Sequence, residues 1–431
     1  MLITLVFVSC KDHKDPANPN IILIMADDMG YECISCYGST SYKTPALDKL
    51  ASGGIRFSHC ISQPLCTPSR VKIMTGLYNY RNYDYFGHLK NSAYTFGNLM
   101  KEADYATCIV GKWQLNGLAY KDEIPYWNDL TRPNIFGFDE YCLWQLTKTR
   151  SEGERYADPL IEQNGEVLAT DIDDYGPDIF TNYLLDFIER KKDKPFFVYY
   201  PMVLVHEPFV PTPDSEEWNN PSARYKNDTT YFKDMVAYTD KIIGLLINKL
   251  AMLDIEGNTI IMFTGDNGTH TSVYSNTRFG VIQGGKGNTI DAGVHVPLIV
   301  SWPQKIKKGF KYDGLIEFSD FFPTIADIVG EQIESDGKSF YPLLTGMRYV
   351  QRKTVFVHYD PKWGQNVNQY RNQFVQSVDY KLYQDGRFFN LTNDIREKIP
   401  LNMDSLSEDE IEIESILQNE LKRHPEWGNQ N

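Results

Sequence analysis

Asn20-Ile21-Ile22-Leu23-Ile24-Met25-Ala26 is an almost continuous apolar run near the start of a chain of 431 residues. A short run without alternating polar residues is typical of a strand buried on both faces of a sheet. Similar apolar runs occur at residues 195–200, 259–263 and 297–300. The sequence therefore contains several strands of the kind that form the centre of a helix-covered sheet.

Helical patterns lie between these runs. Apolar residues spaced three and four apart form one stripe within residues 180–188 and a longer stripe within residues 232–250. Strands that alternate with helices predict an α/β fold, with a large and mostly parallel sheet sandwiched by helices.

The pattern changes after about residue 335. Short strand-like runs at residues 354–357 and 380–383, followed by an acidic helical tail, predict a smaller C-terminal α+β subdomain. We therefore divide the chain into a signal or lipoprotein segment, a catalytic α/β domain and this subdomain, at residues 1–18, 19–335 and 336–431.

The composition limits the partners of the protein. The chain has 43 Lys and Arg against 57 Asp and Glu, which gives a formal net charge of −14. Nucleic-acid binding requires a basic surface that neutralises phosphates, so we expect no nucleic-acid partner. The same charge makes the protein a poor long-range partner for an anionic substrate.

The N-terminus predicts export. Residues 2–8 are apolar but far too few to cross a bilayer, and Ser9-Cys10 follows them. A small residue before Cys at the end of an apolar run resembles a bacterial lipoprotein cleavage site, with Cys10 carrying the lipid; the alternative is a truncated secretory signal. We expect an exported bacterial protein, either periplasmic or an outer-membrane lipoprotein.

Acidic residues follow two of the predicted strands. Asp27 and Asp28 come directly after the first strand, and Asp266 and Asn267 follow the strand at 259–263. Each pair alone is explained by a helix cap or a turn. Ligands of open α/β sheets bind beyond the carboxyl ends of the strands, and an all-oxygen set suits Ca²⁺, or less readily Mg²⁺. The sequence therefore predicts a hard-cation site at this edge.

Cys66-Thr67-Pro68-Ser69-Arg70 is the most specific motif in the chain. Residues 71–74 continue it as a helix, with Pro68 in the first turn, where its missing N–H costs nothing. Cys66 then lies at a helix N-terminus with Arg70 one turn further on, an arrangement that suits a nucleophile with cationic support. The alternative is a structural thiol at a helix cap.

This motif, together with Met74-Thr75-Gly76, resembles the signature of the type I, formylglycine-dependent sulfatases of the alkaline phosphatase superfamily. Further segments match the family in order, at residues 44–51, 105–107, 111–113, 137–139, 194–197, 284–287, 296–300, 380–382 and 389–394. The chain is therefore identified as a member of this family, similar to bacterial carbohydrate- and arylsulfatases, and an alkaline phosphatase-like fold is implied.

The resemblance assigns roles to single residues. A formylglycine-generating maturation enzyme would oxidise Cys66 to Cα-formylglycine, whose hydrated aldehyde is the nucleophile of the family, and Arg70 would support it. Lys112 and Lys286 would bind sulfate oxygens, and His206 would protonate or bind the leaving oxygen. Ca²⁺ would be held by the modified residue 66 together with Asp27, Asp28, Asp266 and Asn267.

The chain departs from the family pattern at two positions. The family usually has His two residues after the Lys of Gly-Lys-Trp, whereas this chain has Gln114. Because an amide cannot act as a base near neutral pH, we expect Gln114 to position the nucleophile, with water, His206 or another histidine taking the proton. His295 stands where the family often has Arg, and we expect that change to affect packing only.

The implied function is hydrolysis of sulfate esters on a mono- or oligosaccharide. Alternatives are a phosphonate monoester or phosphodiester hydrolase of the same superfamily and a catalytically silent glycan-binding protein. A local cationic pocket would offset the acidic net charge, so we expect short, lightly sulfated substrates. Further expected pocket residues are Tyr274, Arg278, His358, Tyr359 and Trp363.

Overall fold

The computed structural model of the protein describes residues 18–362 and 371–426. Its strands are β1 (Asn20–Ala26), β2 (Ile55–Ile61), β3 (Ala106–Lys112), β4 (Glu140–Trp144), β5 (Ile161–Gln163), β6 (Glu166–Val167), β7 (Phe196–Pro201), β8 (Thr259–Gly265), β9 (Tyr274–Thr277), β10 (Gly280–Gln283), β11 (His295–Ser301), β12 (Phe310–Glu317), β13 (Val355–Tyr359), β14 (Asn372–Gln376), β15 (Tyr380–Tyr383) and β16 (Phe388–Asn390). Its α-helices are α1 (Pro45–Gly53), α2 (Cys66–Thr75), α3 (Asn79–Asn82), α4 (Phe96–Glu102), α5 (Arg132–Ile135), α6 (Gly176–Lys191), α7 (Phe232–Met252), α8 (Asp291–Val294), α9 (Phe321–Val329), α10 (Tyr341–Thr345) and α11 (Glu408–Leu421).

Ten strands form one large sheet in the order β12-β2-β11-β8-β1-β7-β3-β4-β5-β6. The central strands β8, β1, β7, β3 and β4 are parallel to one another. Strand β11 runs antiparallel to both β2 and β8, and β5 runs antiparallel to β4. The large, mostly parallel sheet predicted from the sequence is confirmed.

The position of β1 in the sheet explains why its sequence is almost entirely apolar. All seven of its residues are buried. Ile22 and Ile24 pack into a core with α1, α6 and α7, whereas Ile21, Leu23 and Met25 pack into a second core with α2, α4 and α9. Because successive side chains point to opposite faces, a strand between two helical layers has no solvent-facing position.

The apolar run at 297–300 forms part of β11, which runs against its neighbours. A run buried on both faces does not reveal the direction of its strand, so the sequence did not separate this strand from the parallel ones. The chain between β8 and β11 returns along the sheet as a long connection that contains the hairpin β9–β10.

The C-terminal part carries a second, antiparallel sheet in the order β13-β14-β15-β16. The side chain of Leu417 on α11 packs with Phe356, Val375, Leu382 and Phe388 of this sheet. The α+β character predicted for the C-terminal part is confirmed, while the boundary at residue 335 stays a prediction. No helix among the described residues is long and apolar enough to cross a membrane.

Candidate active site

The candidate active site lies at the carboxyl edge of the central strands. Asp27 follows β1, Asp266 follows β8, and Lys112 is the last residue of β3. Since these strands are parallel, their carboxyl ends meet at one edge, which is where open α/β sheets bind ligands. The structure thus brings together side chains that are as many as 258 positions apart in sequence.

The segment after β7 stays beside β1 and delivers His206 to this edge. The backbone N–H of Asp27 donates to the carbonyl of Leu204, and the N–H of Val205 donates to the carbonyl of Asp27, both at 2.7 Å. These bonds continue the pairing past the end of both strands. As a result, His206 Nε2 lies 3.7 Å from Asp28 Oδ2.

Helix α2 places Cys66 and Arg70. Cys66 is its first residue, and all ten residues of the helix are buried, which confirms the predicted helix. One turn later, Arg70 Nη1 donates to the carbonyl of Lys112 at 2.6 Å, and Arg70 Nη2 lies 3.6 Å from Asp266 Oδ2. The guanidinium therefore ties the cysteine-bearing helix to the ends of β3 and β8.

Four oxygen-bearing side chains form a fully buried cluster: Asp27, Asp28, Asp266 and Asn267. Asn267 Nδ2 donates to Asp28 Oδ1 at 2.8 Å, and the backbone N–H of Asp28 donates to Asp266 Oδ1 at 3.0 Å. Among residues 18–362 and 371–426, Asp266 Oδ2 and Asn267 Oδ1 find no hydrogen-bond partner although both atoms are buried. Buried oxygens in this position cost free energy unless a cation binds them, so the cluster fits a hard metal ion.

Two lysines lie against these carboxylates. Lys112 Nζ donates to both carboxylate oxygens of Asp27, at 2.7 and 3.0 Å. Lys286 Nζ donates to Asp28 Oδ2 at 2.6 Å. Burial lowers the pKa of Lys286, but the surrounding acidic groups, with Asp28 the strongest of them, together outweigh burial and raise that pKa to about 12. Lys286 is therefore charged and able to bind an anion.

His206 is held as a neutral imidazole. Its Nδ1 lies 2.7 Å from the carbonyl of Glu207, and its Nε2 lies 2.9 Å from Lys286 Nζ. This network assigns the proton to Nδ1, which donates, while Nε2 accepts from the ammonium. Burial and the positive charge of Lys286 lower the pKa of His206 well below its ordinary value.

Gln114 faces the cysteine. Its backbone has a positive φ of 52°, and its N–H donates to the carbonyl of Gln145 at 3.1 Å. Its side-chain Oε1 lies 3.6 Å from Cys66 Sγ. Among the described residues that line the cavity, His206 is the one histidine. The fold therefore brings no further histidine to the cavity wall in place of the family's usual base.

A cavity of about 360 Å³ joins five of the predicted residues, namely Cys66, Lys112, Gln114, His206 and Lys286. The buried carboxylates lie behind its lysines. The less specific expectations are not met: the cavity lining does not include Tyr274, Arg278, His358 or Tyr359, and Trp363 lies outside the described residues. Tyr274 lies on the exposed hairpin β9–β10, and His358 and Tyr359 belong to β13 of the small sheet.

Arg155, which was not predicted from the sequence, also lines this cavity. Its side chain is 2% exposed, and Nη1 lies 3.9 Å from Asp27 Oδ2. Arg155 follows β4, whose strand pattern the sequence analysis did not detect. The sequence signal for this residue is the pair of arginines Arg150 and Arg155 within six residues. That pair indicates a binding site only when β4 is known to lie beside β3.

His295 lies away from the cavity lining. Its Nδ1 is 3.2 Å from Asp291 Oδ1, and its Nε2 donates to the carbonyl of Ser58 at 2.7 Å. Burial lowers the pKa of His295, but the Asp291 carboxylate, with the carbonyl of Ser58 and the more distant Glu32, outweighs burial and raises that pKa. The raised pKa thus favours the positively charged imidazole at the position where the resemblance implies arginine.

Comparison with known families places the chain. A family described as Sulfatase matches residues 19–331, and one described as N-sulphoglucosamine sulphohydrolase, C-terminal, matches residues 286–426. The first match spans well over half of the chain. The protein therefore belongs to the sulfatase family and is a sulfuric ester hydrolase, as the cysteine motif predicts.

Individual relatives agree. The N-acetylgalactosamine-6-O-sulfatase of Bacteroides thetaiotaomicron is 29% identical over 420 residues, which cover 80% of this chain and 80% of that protein. The structure of Ps i-CgsB in complex with k-i-k-neocarrahexaose has a TM-score of 0.74 at 25% identity, covering 94% of this chain and 92% of that chain. The phosphonate monoester hydrolase of Agrobacterium radiobacter has a TM-score of 0.70 at 16% identity, covering 94% and 95%. The fold alone is thus shared with a phosphonate hydrolase.

Proposed function

We propose that the protein removes sulfate from sulfated mono- or oligosaccharides, with Cys66 converted to formylglycine and with Ca²⁺ held by Asp27, Asp28, Asp266 and Asn267. The observation that carries the proposal is the single cavity that joins Cys66, two lysines and His206. The saccharide class is supported by relatives, one named for N-acetylgalactosamine-6-O-sulfate and one solved with a neocarrahexaose.

Hydrolysis of a sulfate ester breaks the bond between sulfur and the sugar oxygen. The sugar oxygen leaves with a proton, an oxygen derived from water joins the sulfur, and inorganic sulfate is released. The hydrated aldehyde at position 66 would supply the attacking oxygen. The position of Cys66 as the first residue of a buried helix that also carries Arg70 supports a nucleophile held in one orientation.

One side-chain oxygen each of Asp266 and Asn267 is buried without a hydrogen bond from any described residue, which supports a hard cation at this cluster. When bound, Ca²⁺ would neutralise the carboxylates and polarise the sulfate. Lys112 and Lys286, which contact Asp27 and Asp28, would then turn their N–H donors toward sulfate oxygens and stabilise the charge that develops during reaction.

His206 and Lys286 would act together at the leaving oxygen. Because His206 Nε2 accepts a hydrogen bond from Lys286 Nζ, the proton for the leaving oxygen is available within this pair. Gln114, whose side-chain oxygen faces position 66, would orient the nucleophile without taking its proton.

The proposal extends to maturation and location. Conversion of Cys66 requires a formylglycine-generating enzyme, and such an enzyme is therefore a proposed partner. We further propose that the protein is exported and anchored through a lipid on Cys10, which lies outside the described residues.

The test is a desulfation screen with sulfated mono- and oligosaccharides, using protein from the native host or co-produced with a formylglycine-generating enzyme. Released sulfate and the mass of the peptide containing residue 66 are measured together. We expect desulfation by wild type and none by Cys66→Ala, with Cys36→Ala as the matched control that stays active. A strong preference for phosphodiesters or phosphonate monoesters would contradict the proposal, as would activity with unmodified cysteine.

Metal removal tests the cation site. Chelation should abolish sulfate release and lower the melting temperature, since three buried carboxylates would lose their counter-charge. Adding Ca²⁺ should restore both properties in wild type, whereas Asp266→Asn should respond only weakly. A melting temperature that does not respond to chelation or Ca²⁺ would rule out the site.

A further inference from the structure

We propose that Arg155 determines substrate specificity by binding a second anionic group, a carboxylate or a sulfate, on the saccharide that carries the scissile sulfate. This inference rests on the proposed function and specifies its substrate: the sugar, or its neighbour in the chain, bears at least one anion besides the ester that is cleaved.

The state of the Arg155 side chain is the first reason. It is 2% exposed, and its Nε and Nη1 atoms are buried with no hydrogen-bond partner in the described part of the chain. An arginine buried to this extent is costly unless its donors are used. Since Arg155 lines the cavity, we infer that an anion bound there meets its guanidinium and offsets this cost.

The nearby carboxylate does not satisfy Arg155. Nη1 lies 3.9 Å from Asp27 Oδ2, which is beyond hydrogen-bonding distance. Both carboxylate oxygens of Asp27 are already used by Lys112, at 2.7 and 3.0 Å. Asp27 therefore offsets part of the charge of Arg155 and leaves its directed donors free.

The guanidinium is held in a fixed orientation. Its central carbon lies 4.0 Å from the ring centroid of Trp144, so the plane is supported by an aromatic face. The next residue, Tyr156, donates its hydroxyl to the carbonyls of Val203 and His206, at 2.9 and 2.5 Å. This anchors Arg155 to the segment that carries His206, the residue proposed for the leaving-group side.

Charge matching favours a second anion over the scissile sulfate as the ligand. A sulfate monoester carries one negative charge, and Lys112 and Lys286 already face it from the cavity wall. Arg155 adds a planar fork of donors, which suits bidentate contact with a carboxylate or sulfate. Arg150, exposed and without an ion pair in the described part of the chain, adds positive charge to the same wall.

The test compares matched saccharide pairs that differ by one anion. One arm uses N-acetylgalactosamine 6-sulfate and its 4,6-disulfate; the other uses the 6-sulfate alone and linked to a uronate. Further pairs come from the best substrates of the desulfation screen. Each pair is assayed with wild type, Arg155→Gln, Arg155→Lys and the surface control Arg190→Gln, with melting temperatures recorded for all four.

We expect the second anion to raise kcat/KM of wild type by about 10- to 100-fold in at least one arm, chiefly through KM. The arm that responds identifies the group as sulfate or carboxylate. Arg155→Gln should reduce the advantage to less than about threefold, Arg155→Lys should keep part of it because the charge remains, and Arg190→Gln should keep all of it.

Several results would overturn the inference alone. One is that wild type shows no preference for the second anion in any pair, and another is that the preference persists in folded Arg155→Gln. The last is that Arg155→Gln loses kcat equally on both members of each pair. The last result would make Arg155 a positioning residue for Asp27. Failure of wild type to desulfate any saccharide would instead overturn the proposed function and this inference with it.

Discussion

At the scale of the residue, Gln114 is the amide side chain that faces Cys66. Its Oε1 lies 3.6 Å from Cys66 Sγ, and a carboxamide neither gains nor loses a proton in the working pH range. Gln114→His should therefore add an ionisation near the ordinary histidine pKa of about 6.5, with kcat rising as the imidazole becomes neutral. The pH–rate profile of kcat is compared with wild type and with Gln304→His, an exposed position. Superimposable profiles for Gln114→His and wild type would show that residue 114 has no access to the reacting proton.

His295 makes a second residue-scale prediction, on stability. Because its folded-state pKa is raised, its ion pair with Asp291 contributes fully below about pH 6.5 and is lost as the pH rises through the folded-state value. Asp291, whose pKa is lowered despite its burial, keeps the pair intact down to about pH 4. His295→Gln should cost about 2 kcal/mol of unfolding free energy near pH 6 and less near pH 9, measured by denaturant unfolding. His295→Arg keeps the charge at both pH values and should show no such change, and an equal cost for the glutamine variant at both would contradict the assignment.

The residue scale also shows which site residues a sequence can reveal. Cys66 and Arg70 stand within one helical turn, so their relation is fixed locally and the motif predicts it. Arg155 has no such local partner, because the residues it contacts in the site are Trp144 and Asp27. These residues come near only through the pairing of β4 with β3 and of β7 with β1. No short sequence pattern predicts which strands pair, so the role of Arg155 could not be predicted from the sequence.

At the scale of the element, α2 carries Cys66 and is anchored by a buried ion pair. Lys72 Nζ lies 2.5 Å from Glu317 Oε2, and both side chains are fully buried. Lys72→Met leaves Glu317 without its closest counter-charge and should lower the unfolding free energy by about 3 kcal/mol. Lys101→Met, which breaks the exposed pair with Asp139, should cost less than about 1 kcal/mol. Chemical denaturation measures the unfolding free energies of Lys72→Met and Lys101→Met. The double variant Lys72→Met with Glu317→Gln should recover part of the loss caused by Lys72→Met. Equal costs for Lys72→Met and Lys101→Met would contradict this role of the buried pair.

Among the strands of the large sheet, those buried on both faces were predictable from the sequence, whereas the partly exposed strand β2 and the direction of β11 were not. β1, β7 and β8 follow from continuous apolar runs, because a strand between two helical layers excludes polar residues. β2 contains Arg56, Ser58 and His59, which face less buried positions, so its sequence lacks such a run. The direction of β11 was not predictable, because it depends on the path of the long connection between β8 and β11. That connection returns the chain so that β11 runs antiparallel to β8.

At the scale of the whole molecule, the net charge of −14 and the cationic cavity act over different distances. The acidic surface repels a polyanion from afar, and salt screens this repulsion within about 10 Å at 0.1 M ionic strength. Lys112, Lys286 and Arg155 act within the cavity, where salt screens much less. A short saccharide with one or two anions thus meets mainly the cavity, whereas a long polysulfated chain meets both.

This difference predicts opposite responses to salt. Raising the ionic strength from about 0.01 to 0.15 M should increase kcat/KM for a long, heavily sulfated polymer, because repulsion by the acidic surface is removed. For the matching mono- or disaccharide, the same change should leave kcat/KM nearly constant or lower it slightly. Initial rates of sulfate release, with both substrates at concentrations well below KM, give the comparison directly. Faster turnover of the polymer than of the short saccharide at low ionic strength would mean that a local basic surface, rather than the net charge, governs the approach of the substrate.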